Sequence, residues 1–445
     1  MHTRGRQQDI DAGQIVMKIQ DQQQEHTRSY YAATINEPVD YAALEEHIDT
    51  DICVVGGGFT GVATALTLAE RGYNVVLLEA NRIGWGASGR NGGQLIYGFS
   101  SQSKLEKNLN GNNSDLLWDL QWRGNDIIRE RVARYSIPCD LKNGYVQVAT
   151  KPRQLAIIEA EAEERARHRS DFAYETWDRA TTRDMLGTDA FAGASACFRD
   201  GHVHPLNLCI GEARAAEQQG AKIFEQSPVV DIVHGKRATA RTETGSVTAD
   251  AIVLAGNAYS RLEPKYLSNL VFPAGSYIIA TEPLPREITN EINPRDVAVC
   301  DLNNVVDYYR LSSDKRLLFG GACNYSGRDP KSIEAFIRPR MERVYPQLKG
   351  VRIDYQWGGK IGIVLNRALA VGRIQNNVYY CQGYSGHGVC PTHLMGEIMA
   401  DAVTGSLERF DLFASIKHFR IPGSQWVGNQ LIALGMLYYK LKDRL

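Results

Sequence analysis

The thirty residues from Thr50 to Glu79 constrain the fold of this chain more than any other stretch, because they contain each part of a dinucleotide-binding βαβ unit. An apolar run over Ile52 to Val55 predicts a buried parallel strand, and Val62 to Glu70 predicts the helix that follows. Three glycines stand at GxGxxG spacing at this turn: Gly56, Gly58 and Gly61.

Each glycine of the turn has its own physical role. Gly56 permits the tight turn, Gly58 lets the backbone approach a pyrophosphate, and Gly61 lets the helix pack closely on the strand. The N-terminus of the helix offers unpaired N–H groups to the anion. An ordinary glycine-rich turn is the alternative, but it requires neither the strand before nor the helix after.

A second apolar run, Val75 to Leu78, ends at Glu79. A carboxylate at this position can accept hydrogen bonds from ribose hydroxyls and disfavours a 2′-phosphate. The sequence therefore predicts a bound adenine dinucleotide other than NADP.

The composition is that of a globular protein with room for two or three domains. The chain has 445 residues, of which 43% are hydrophobic. Its 50 basic residues nearly balance its 51 acidic ones, so neither a nucleic-acid partner nor an electrostatic membrane anchor is expected. The longest apolar stretch beyond the motifs, near Leu431 to Tyr439, is too short to span a bilayer, and the N-terminus has no signal-peptide core. A cytoplasmic protein without a transmembrane segment is predicted.

The eight cysteines are scattered along the chain without a CxxC pair. This pattern favours buried free thiols in a reducing compartment over disulfides, and no metal site is predicted.

Glycine-rich strand ends recur far from the first one. The strand predicted over Ala251 to Ala255 runs into Gly256, and the one over Val378 to Cys381 runs into Gly383. The nucleotide domain is therefore predicted from three pieces, 29–104, 195–270 and 358–445. A second domain is predicted from 105–194 and 271–357, with an antiparallel sheet between Tyr277 and Gly321. The polar, Gln-rich residues 1–28 are predicted to be a disordered tail.

Stretches along the whole chain resemble the D-amino-acid oxidase-like FAD oxidoreductases, and within that group the γ-glutamylputrescine oxidases. The stretches are Ser29 to Ala33, Gly86 to Gln94, Trp357 to Gly359, Asn366 to Ala368, Gly383 to Gly388, and Leu434 to Tyr439. The resemblance implies an α/β fold: an FAD-binding Rossmann-like domain of the glutathione-reductase type, with an α+β substrate domain built on an antiparallel sheet.

The resemblance and the βαβ unit together assign a set of residues to FAD. In the loop Gly86 to Gln94, backbone amides would wrap the pyrophosphate and flavin edge, and Arg90 would supply charge. The full set is Gly56, Gly58, Phe59, Thr60, Gly61, Glu79, Ala80, Arg82, Gly86, Ala87, Ser88, Arg90, Asn91, Gly92, Gly93, Gln94, Val229, Val230, Ala255, Gly256, Gly359, Gly383, Tyr384, Ser385, Gly386, His387 and Gly388.

The resemblance also implies that FAD is held without a covalent bond. Some relatives link the flavin through a histidine or a cysteine. Here Arg90 stands where that histidine is expected, and Gly359 and Lys360 lie near the cysteine position.

Four residues are predicted to take part in catalysis: Lys360, His387, Arg310 and Tyr309. Arg310 is expected to bind a substrate carboxylate, and Lys360 to assist oxygen reduction, with structural or surface roles as the alternatives. His387 is expected near the flavin ring. Aromatic side chains are predicted to line the pocket or to pack in the core: Tyr97, Phe99, Tyr277, Tyr308, Tyr309, Trp357 and Tyr384.

The predicted function is an FAD-dependent amine oxidase that converts a primary or secondary amine to an imine, with molecular oxygen reduced to hydrogen peroxide. The first alternative is an amino-acid dehydrogenase that passes electrons to a quinone or carrier. The second is a flavin-binding protein without turnover. The sequence leaves the oligomeric state open.

Overall fold

A computed structural model describes residues 25–100, 106, 114–167, 174–324, 329–421, 428 and 430–434. The predicted tail, except for residues 25–28, and the motif after Leu434 lie outside these residues. The described helices are α1 Tyr30–Ala33, α2 Phe59–Glu70, α3 Ser114–Arg134, α4 Leu155–Arg167, α5 Arg179–Leu186, α6 Pro205–Gln218, α7 Pro264–Leu267, α8 Arg286–Ile292, α9 Ile333–Val344, α10 Val389–Val403 and α11 Glu408–Ala414.

The described strands form two sheets. They are β1 His47–Val55, β2 Val75–Leu78, β3 Gln94–Leu95, β4 Lys142–Ala149, β5 Tyr174–Trp177, β6 Gly193–His202, β7 Lys222–Phe224, β8 Asp231–Val233, β9 Ala238–Arg241, β10 Ser246–Leu254, β11 Phe272–Thr281, β12 Ala298–Asp301, β13 Asp307–Leu311, β14 Leu317–Asn324, β15 Ile353–Ile363, β16 Ala370–Ile374 and β17 Val378–Gln382.

The first sheet is the predicted nucleotide-binding sheet. Its order is β16-β17-β10-β1-β2-β7, with β9 on β10 and β8 on β9. Strands β17, β10, β1, β2 and β7 run parallel. Because parallel strands are covered on both faces, β2 is buried at all four positions. The ends of β1, β10 and β17, which come from three separated parts of the chain, lie side by side in this sheet.

The second sheet has the order β15-β11-β14-β13-β12-β4-β6-β3, with β5 on β6. Its pairs are antiparallel apart from β12 with β4, which run parallel. One face packs on a core that includes Val146, Tyr309 and Phe319. The other face turns toward the first sheet.

Two elements lie differently from the predicted domain boundaries. Helix α3, expected in the second domain, shares the core of the first sheet through Leu117 and Ile128. Its Arg131 donates to Thr67 of α2 at 2.7 Å and to Glu212 of α6 at 3.1 Å. Strand β6, which the boundary at 195 placed mostly with the nucleotide domain, pairs within the second sheet.

Two further observations concern the cysteines and the apolar character of the helices. The eight cysteines are free thiols, as the sequence predicts. In the described part of the chain, the helices lack the length and apolar character that crossing a bilayer requires.

Candidate active site

The ends of β1 and β10 form a tight backbone cradle. Gly56 has a φ of +114°, in the left-handed region that favours glycine, and a Cβ there would lie 2.9 Å from the carbonyl carbon of Ala255. A Cβ at Gly61 would lie 1.9 Å from the carbonyl oxygen of Gly56. Close packing of backbone on backbone therefore requires glycine at both positions, as the GxGxxG spacing predicts.

Glu79 closes this cradle at the end of β2. Its carboxylate accepts the amide of Gly57 at 2.6 Å and the amide of Asn81 at 2.8 Å. Burial raises the pKa of Glu79, and the two amide hydrogen bonds oppose that rise. The side chain thus shapes the glycine turn, and its contact with a ribose stays a prediction.

The loop Gly86 to Gln94 sits on the N-terminus of α2. The hydroxyl oxygen of Ser88 accepts the first amide of the helix, that of Phe59, at 2.9 Å. Asn91 ties the loop together by donating to the carbonyls of Ala87 and Ser88. The loop and the helix amides meet where a pyrophosphate is predicted to bind.

The guanidinium of Arg82 does not point to the cradle at Gly56 and Gly61. Its guanidinium pairs with Glu25, Asp40 and Glu225 at 2.8, 2.6 and 2.9 Å. Arg82 therefore braces the segment before β1, and the cofactor contact predicted for it gains no support from the geometry.

The pair Val229 and Val230 was assigned to adenine. Val229 packs half-buried beside the first sheet, and the amide of Val230 donates to the carbonyl of Arg241 at 2.8 Å. Any backbone contact of this pair with adenine would use groups other than that amide.

A cavity of about 790 Å³ lies between the two sheets. On the side of the first sheet, its wall comes from the loop of residues 86–94 and from the run Ser385 to Gly388. The two segments are linked through β15: Trp357 donates to the carbonyl of Arg90 at 3.0 Å, and Ser385 donates its amide to the carbonyl of Gly362 at 2.8 Å. Three of the stretches that resemble the FAD oxidoreductases, Gly86 to Gln94, Trp357 to Gly359 and Gly383 to Gly388, thus converge on one place.

Asn257 supports the same wall and was missed by the sequence analysis. It follows β10 with a φ of +45°, and its side-chain oxygen accepts the amide of Gly383 at 3.0 Å. An asparagine after a glycine at a strand end is the signal that could have found it.

The opposite wall is the inner face of the second sheet. Its side chains come from separate strands and line the cavity together: Tyr145, Gln147, Ser276, Cys300, Tyr308, Cys323 and Ile361. Tyr308 packs over Gly92 of the loop, and its hydroxyl lies 3.1 Å from that of Ser276.

The catalytic role predicted for Tyr309 gains no support from the geometry, because strand alternation places its side chain in the core. Successive side chains on β13 point to opposite faces, so Tyr308 faces the cavity and Tyr309 faces the core. Tyr309 stacks on Phe319 with ring centroids 5.4 Å apart and meets Tyr345 edge-on.

The catalytic role predicted for Arg310 also gains no support from the geometry, because its guanidinium is buried and hydrogen-bonded within the protein. It donates to the carbonyl of Gly92 at 2.8 Å, to that of Leu311 at 3.1 Å and to the hydroxyl of Tyr31 at 3.2 Å. These contacts hold the loop of residues 86–94 against the second sheet. Arg310 does not line the cavity, so the geometry favours the structural alternative over the predicted contact with a substrate carboxylate.

Lys360 lies on the face of β15 that turns away from the cavity, so the role predicted for it gains no support from the geometry. Gly359 and Ile361 line the cavity, and the exposed side chain of Lys360 points to the opposite side of the strand. Its amide donates to the hydroxyl of Tyr259 at 3.0 Å.

His387 is the one predicted catalytic residue that lines the cavity. Its Nε2 lies 3.0 Å from the carbonyl oxygen of Tyr97, so this nitrogen carries a proton and donates. Burial lowers the pKa of His387, and hydrogen bonding to nearby backbone carbonyl groups opposes that decrease. His387 is therefore a neutral imidazole whose Nδ1 can accept a hydrogen bond.

Most of the candidate aromatics pack in the core. Tyr97 stacks on Trp122 at 4.3 Å, Phe99 meets Phe413, Tyr277 donates to Asp329, and Tyr384 contacts Thr60. Tyr308 lines the cavity, as does Tyr145, which the sequence analysis missed.

Two charged residues of the cavity were also missed. Asp301 ends β12, and Arg367 lies in the turn after β15. Burial and the neighbouring carboxylate of Asp307 raise the pKa of Asp301 to about 7. Arg367 falls within the stretch Asn366 to Ala368 that carries the family resemblance, which was the available signal.

The family model described as FAD dependent oxidoreductase matches residues 51–402. The chain belongs to this family. It is an FAD-dependent oxidoreductase, and its fold is the predicted one.

Two relatives align with this chain over nearly their whole length. The chain is 43% identical to the gamma-glutamylputrescine oxidoreductase of Escherichia coli, over 95% of this chain and 99% of that protein. It is 39% identical to a probable oxidoreductase, OrdL, of Haemophilus influenzae, over 95% and 98%.

Solved structures share the fold. Glycine oxidase from Geobacillus kaustophilus superposes with a TM-score of 0.70 at 22% identity, covering 84% of this chain and all of that one. The L-proline dehydrogenase of P. horikoshii gives 0.69 at 19% identity, covering 82% and 96%.

The residues present fit the FAD that the family implies. The cradle at Gly56 and Gly61 leaves no room for side chains, the amides of α2 face the loop of residues 86–94, and Ser385 to Gly388 line the adjoining cavity. Gly58, Thr60, Gly86, Gly93, Ala80 and Gly256 keep their predicted roles as predictions.

Proposed function

We propose that this chain oxidises γ-glutamylputrescine at its primary amine. Two hydrogens leave the substrate, one from the carbon and one from the nitrogen, to give an imine. Water hydrolyses the imine to an aldehyde and ammonia, and the two electrons reduce molecular oxygen to hydrogen peroxide. The observation that carries the proposal is the 43% identity, over 95% of the chain, to the gamma-glutamylputrescine oxidoreductase of Escherichia coli.

The lining of the cavity is consistent with an amine substrate. Bound FAD supplies the hydride acceptor. The chain supplies position and environment, because the amine must lose its proton before its lone pair can assist hydride loss. Neutral side chains such as Ser276, Tyr308, Cys300 and Ile361 cover the inner wall, and such surroundings favour the uncharged amine.

Purified enzyme should be mixed anaerobically with γ-glutamylputrescine, putrescine, sarcosine and a D-amino acid while flavin absorbance is followed. We expect γ-glutamylputrescine to bleach the flavin with the highest kcat/KM, and air to restore the colour with stoichiometric peroxide. A tenfold preference for sarcosine or the D-amino acid, about 1.4 kcal/mol, would overturn the substrate.

The same experiment separates the alternatives. Bleaching that air does not reverse, with reduction of an added quinone or dye, would make the chain a dehydrogenase. Flavin that no amine bleaches would indicate a protein without turnover.

A further inference from the structure

One side chain on the substrate side of the cavity carries hydrogen-bonding groups that the protein does not use. Gln147 lies on β4 and lines the cavity. Its neighbours Val146 and Val148 pack in the core on the opposite face of the second sheet, so alternation along the strand turns Gln147 toward the cavity. Within the described ranges, its side-chain amide makes no hydrogen bond to the protein. A carbonyl acceptor and an amino donor are therefore open to a ligand.

Other amide side chains of the cavity wall are used to hold the wall together. Asn91 donates to two backbone carbonyls of its own loop, and Gln94 donates to the carbonyl of Val299 at 2.9 Å. Asn303 donates to a neighbouring carboxylate at 2.7 Å and accepts a hydrogen bond at 3.2 Å. Asn304 also interacts within the chain. Gln147 differs from them because its amide faces the cavity without such a task.

The strand register places Gln147 near the loop of residues 86–94, but not against it. Gln147 pairs with Cys300 of β12, and Cys300 pairs with Tyr308 of β13. The three residues form a row across the sheet, and all of them line the cavity. Tyr308 packs on Gly92 of the loop. Because neighbouring strands lie about 4.8 Å apart, Gln147 stands roughly 10 Å from Tyr308 along this row.

γ-Glutamylputrescine carries its own amide group a short way from the carbon that reacts. Three further methylenes separate that carbon from the amide nitrogen, so an extended molecule with its amine at the flavin holds the amide several ångströms away. Two amides are complementary, since the N–H of one donates to the carbonyl of the other. Free putrescine has no group that can replace this pairing.

We infer that Gln147 binds the central amide of γ-glutamylputrescine and thereby selects γ-glutamylated amines over simple diamines. The inference rests on the proposed function, because only that class of substrate brings an amide to this part of the cavity. A diamine that displaces water from Gln147 offers no hydrogen bond in return, so its binding is weaker.

The test uses two substrates of equal length that differ only at the amide. In 2,10-diaminodecanoic acid two methylenes replace the amide of γ-glutamylputrescine, and both charged ends are kept. Gln147→Met replaces the amide side chain with an apolar one of similar size. We expect this variant to lower kcat/KM for γ-glutamylputrescine roughly tenfold or more, because a hydrogen-bonded amide is lost. For 2,10-diaminodecanoic acid, kcat/KM should stay within about twofold of wild type or rise.

Gln218→Met is the matched control, because Gln218 is exposed at the end of α6 and outside the cavity. It should leave kcat/KM for both substrates unchanged. In Gln147→Met, equal losses on the two substrates would show a structural role and overturn the inference, as would no loss on either.

If Gln147→Met does not fold, the wild type decides. A tenfold preference for γ-glutamylputrescine over 2,10-diaminodecanoic acid supports the inference, and a smaller preference or none overturns it. Oxidation of neither substrate by the wild type overturns the proposed function instead.

Discussion

The two walls of the cavity are built in opposite ways. The wall beside the first sheet comes from two short glycine-rich segments, residues 86–94 and Ser385 to Gly388, and it adjoins the backbone cradle at Gly56 and Gly61, whose geometry is fixed locally. The wall on the second sheet consists of single side chains from separate strands, such as Tyr308, Cys300 and Ser276. A substitution in the first wall should therefore abolish cofactor binding, and one in the second should change the substrate that is accepted.

The largest effect is expected from Gly61→Ala. The new Cβ would lie 1.9 Å from the Gly56 carbonyl oxygen, so the turn must open. We expect loss of at least a hundredfold in FAD affinity, measured by titrating apoprotein with FAD. Gly405→Ala is the control, because nothing lies within 4 Å of its Cβ. Its positive φ costs only about 1 kcal/mol of stability, so FAD binding should be kept. Normal FAD affinity in Gly61→Ala would contradict the conclusion that the backbone cradle requires glycine at this position.

Next in size is the contrast between Tyr309 and Tyr308 on β13. Tyr309→Ala removes a ring stacked on Phe319 in the core and should lower the free energy of unfolding by roughly 3–5 kcal/mol. Tyr308→Phe should leave stability within about 1 kcal/mol and change kcat/KM, because its hydroxyl faces Ser276 in the cavity. Urea melts and steady-state assays measure the two. A stable but inactive Tyr309→Ala enzyme would reverse the assignment of faces.

Glu79→Ala tests the hydrogen bonds behind the glycine turn. The change leaves the amides of Gly57 and Asn81 without their acceptor, at a cost of roughly 1–3 kcal/mol in FAD affinity. Glu79→Gln keeps an acceptor oxygen and should recover part of the loss. Unchanged affinity in the alanine variant would remove Glu79 from the cofactor site.

The same contrast explains what the sequence can predict. The spacing of Gly56, Gly58 and Gly61, with the acid at Glu79, predicted the nucleotide-binding turn, because the geometry of that turn depends on residues that are close together in the sequence. The sequence from Asp307 to Leu311 does not predict which residues of β13 face the cavity and which face the core, since every residue type there suits either face. The sequence likewise left open which strand face Arg310 and Lys360 occupy, because the face of a strand depends on pairing with distant strands. Asp301 and Arg367 reach the cavity only through tertiary packing.

A smaller effect is expected on the pH dependence of substrate binding. Burial and Asp307, which is paired with Arg340, raise the pKa of Asp301 to about 7, so its carboxyl becomes ionised as the pH rises through that value. An alkylamine reaches the site as an ammonium at these pH values and loses its proton only there. The ammonium is attracted only to the ionised carboxyl, so KM should fall roughly tenfold between pH 6 and 8, about 1.4 kcal/mol. Burial lowers the pKa of His387 from its ordinary value, away from that of Asp301, and burial raises the pKa of Cys300 and Tyr145 above this window. Asp301→Asn should flatten the step in KM, and a step that persists in this variant would assign it to another group.

The smallest effect is expected at Lys360. Its exposed side chain points away from Gly359 and Ile361, which line the cavity, so its charge is screened by solvent from any flavin bound there. Lys360→Met should leave both the anaerobic reduction of the flavin and its reoxidation by oxygen within about twofold of wild type, which stopped-flow absorbance resolves. His387→Gln changes a lining side chain beside the run Ser385 to Gly388 and should alter at least one of these two rates. Reoxidation slowed tenfold or more in Lys360→Met alone would restore the role in oxygen reduction and would mean that β15 turns its other face to the flavin.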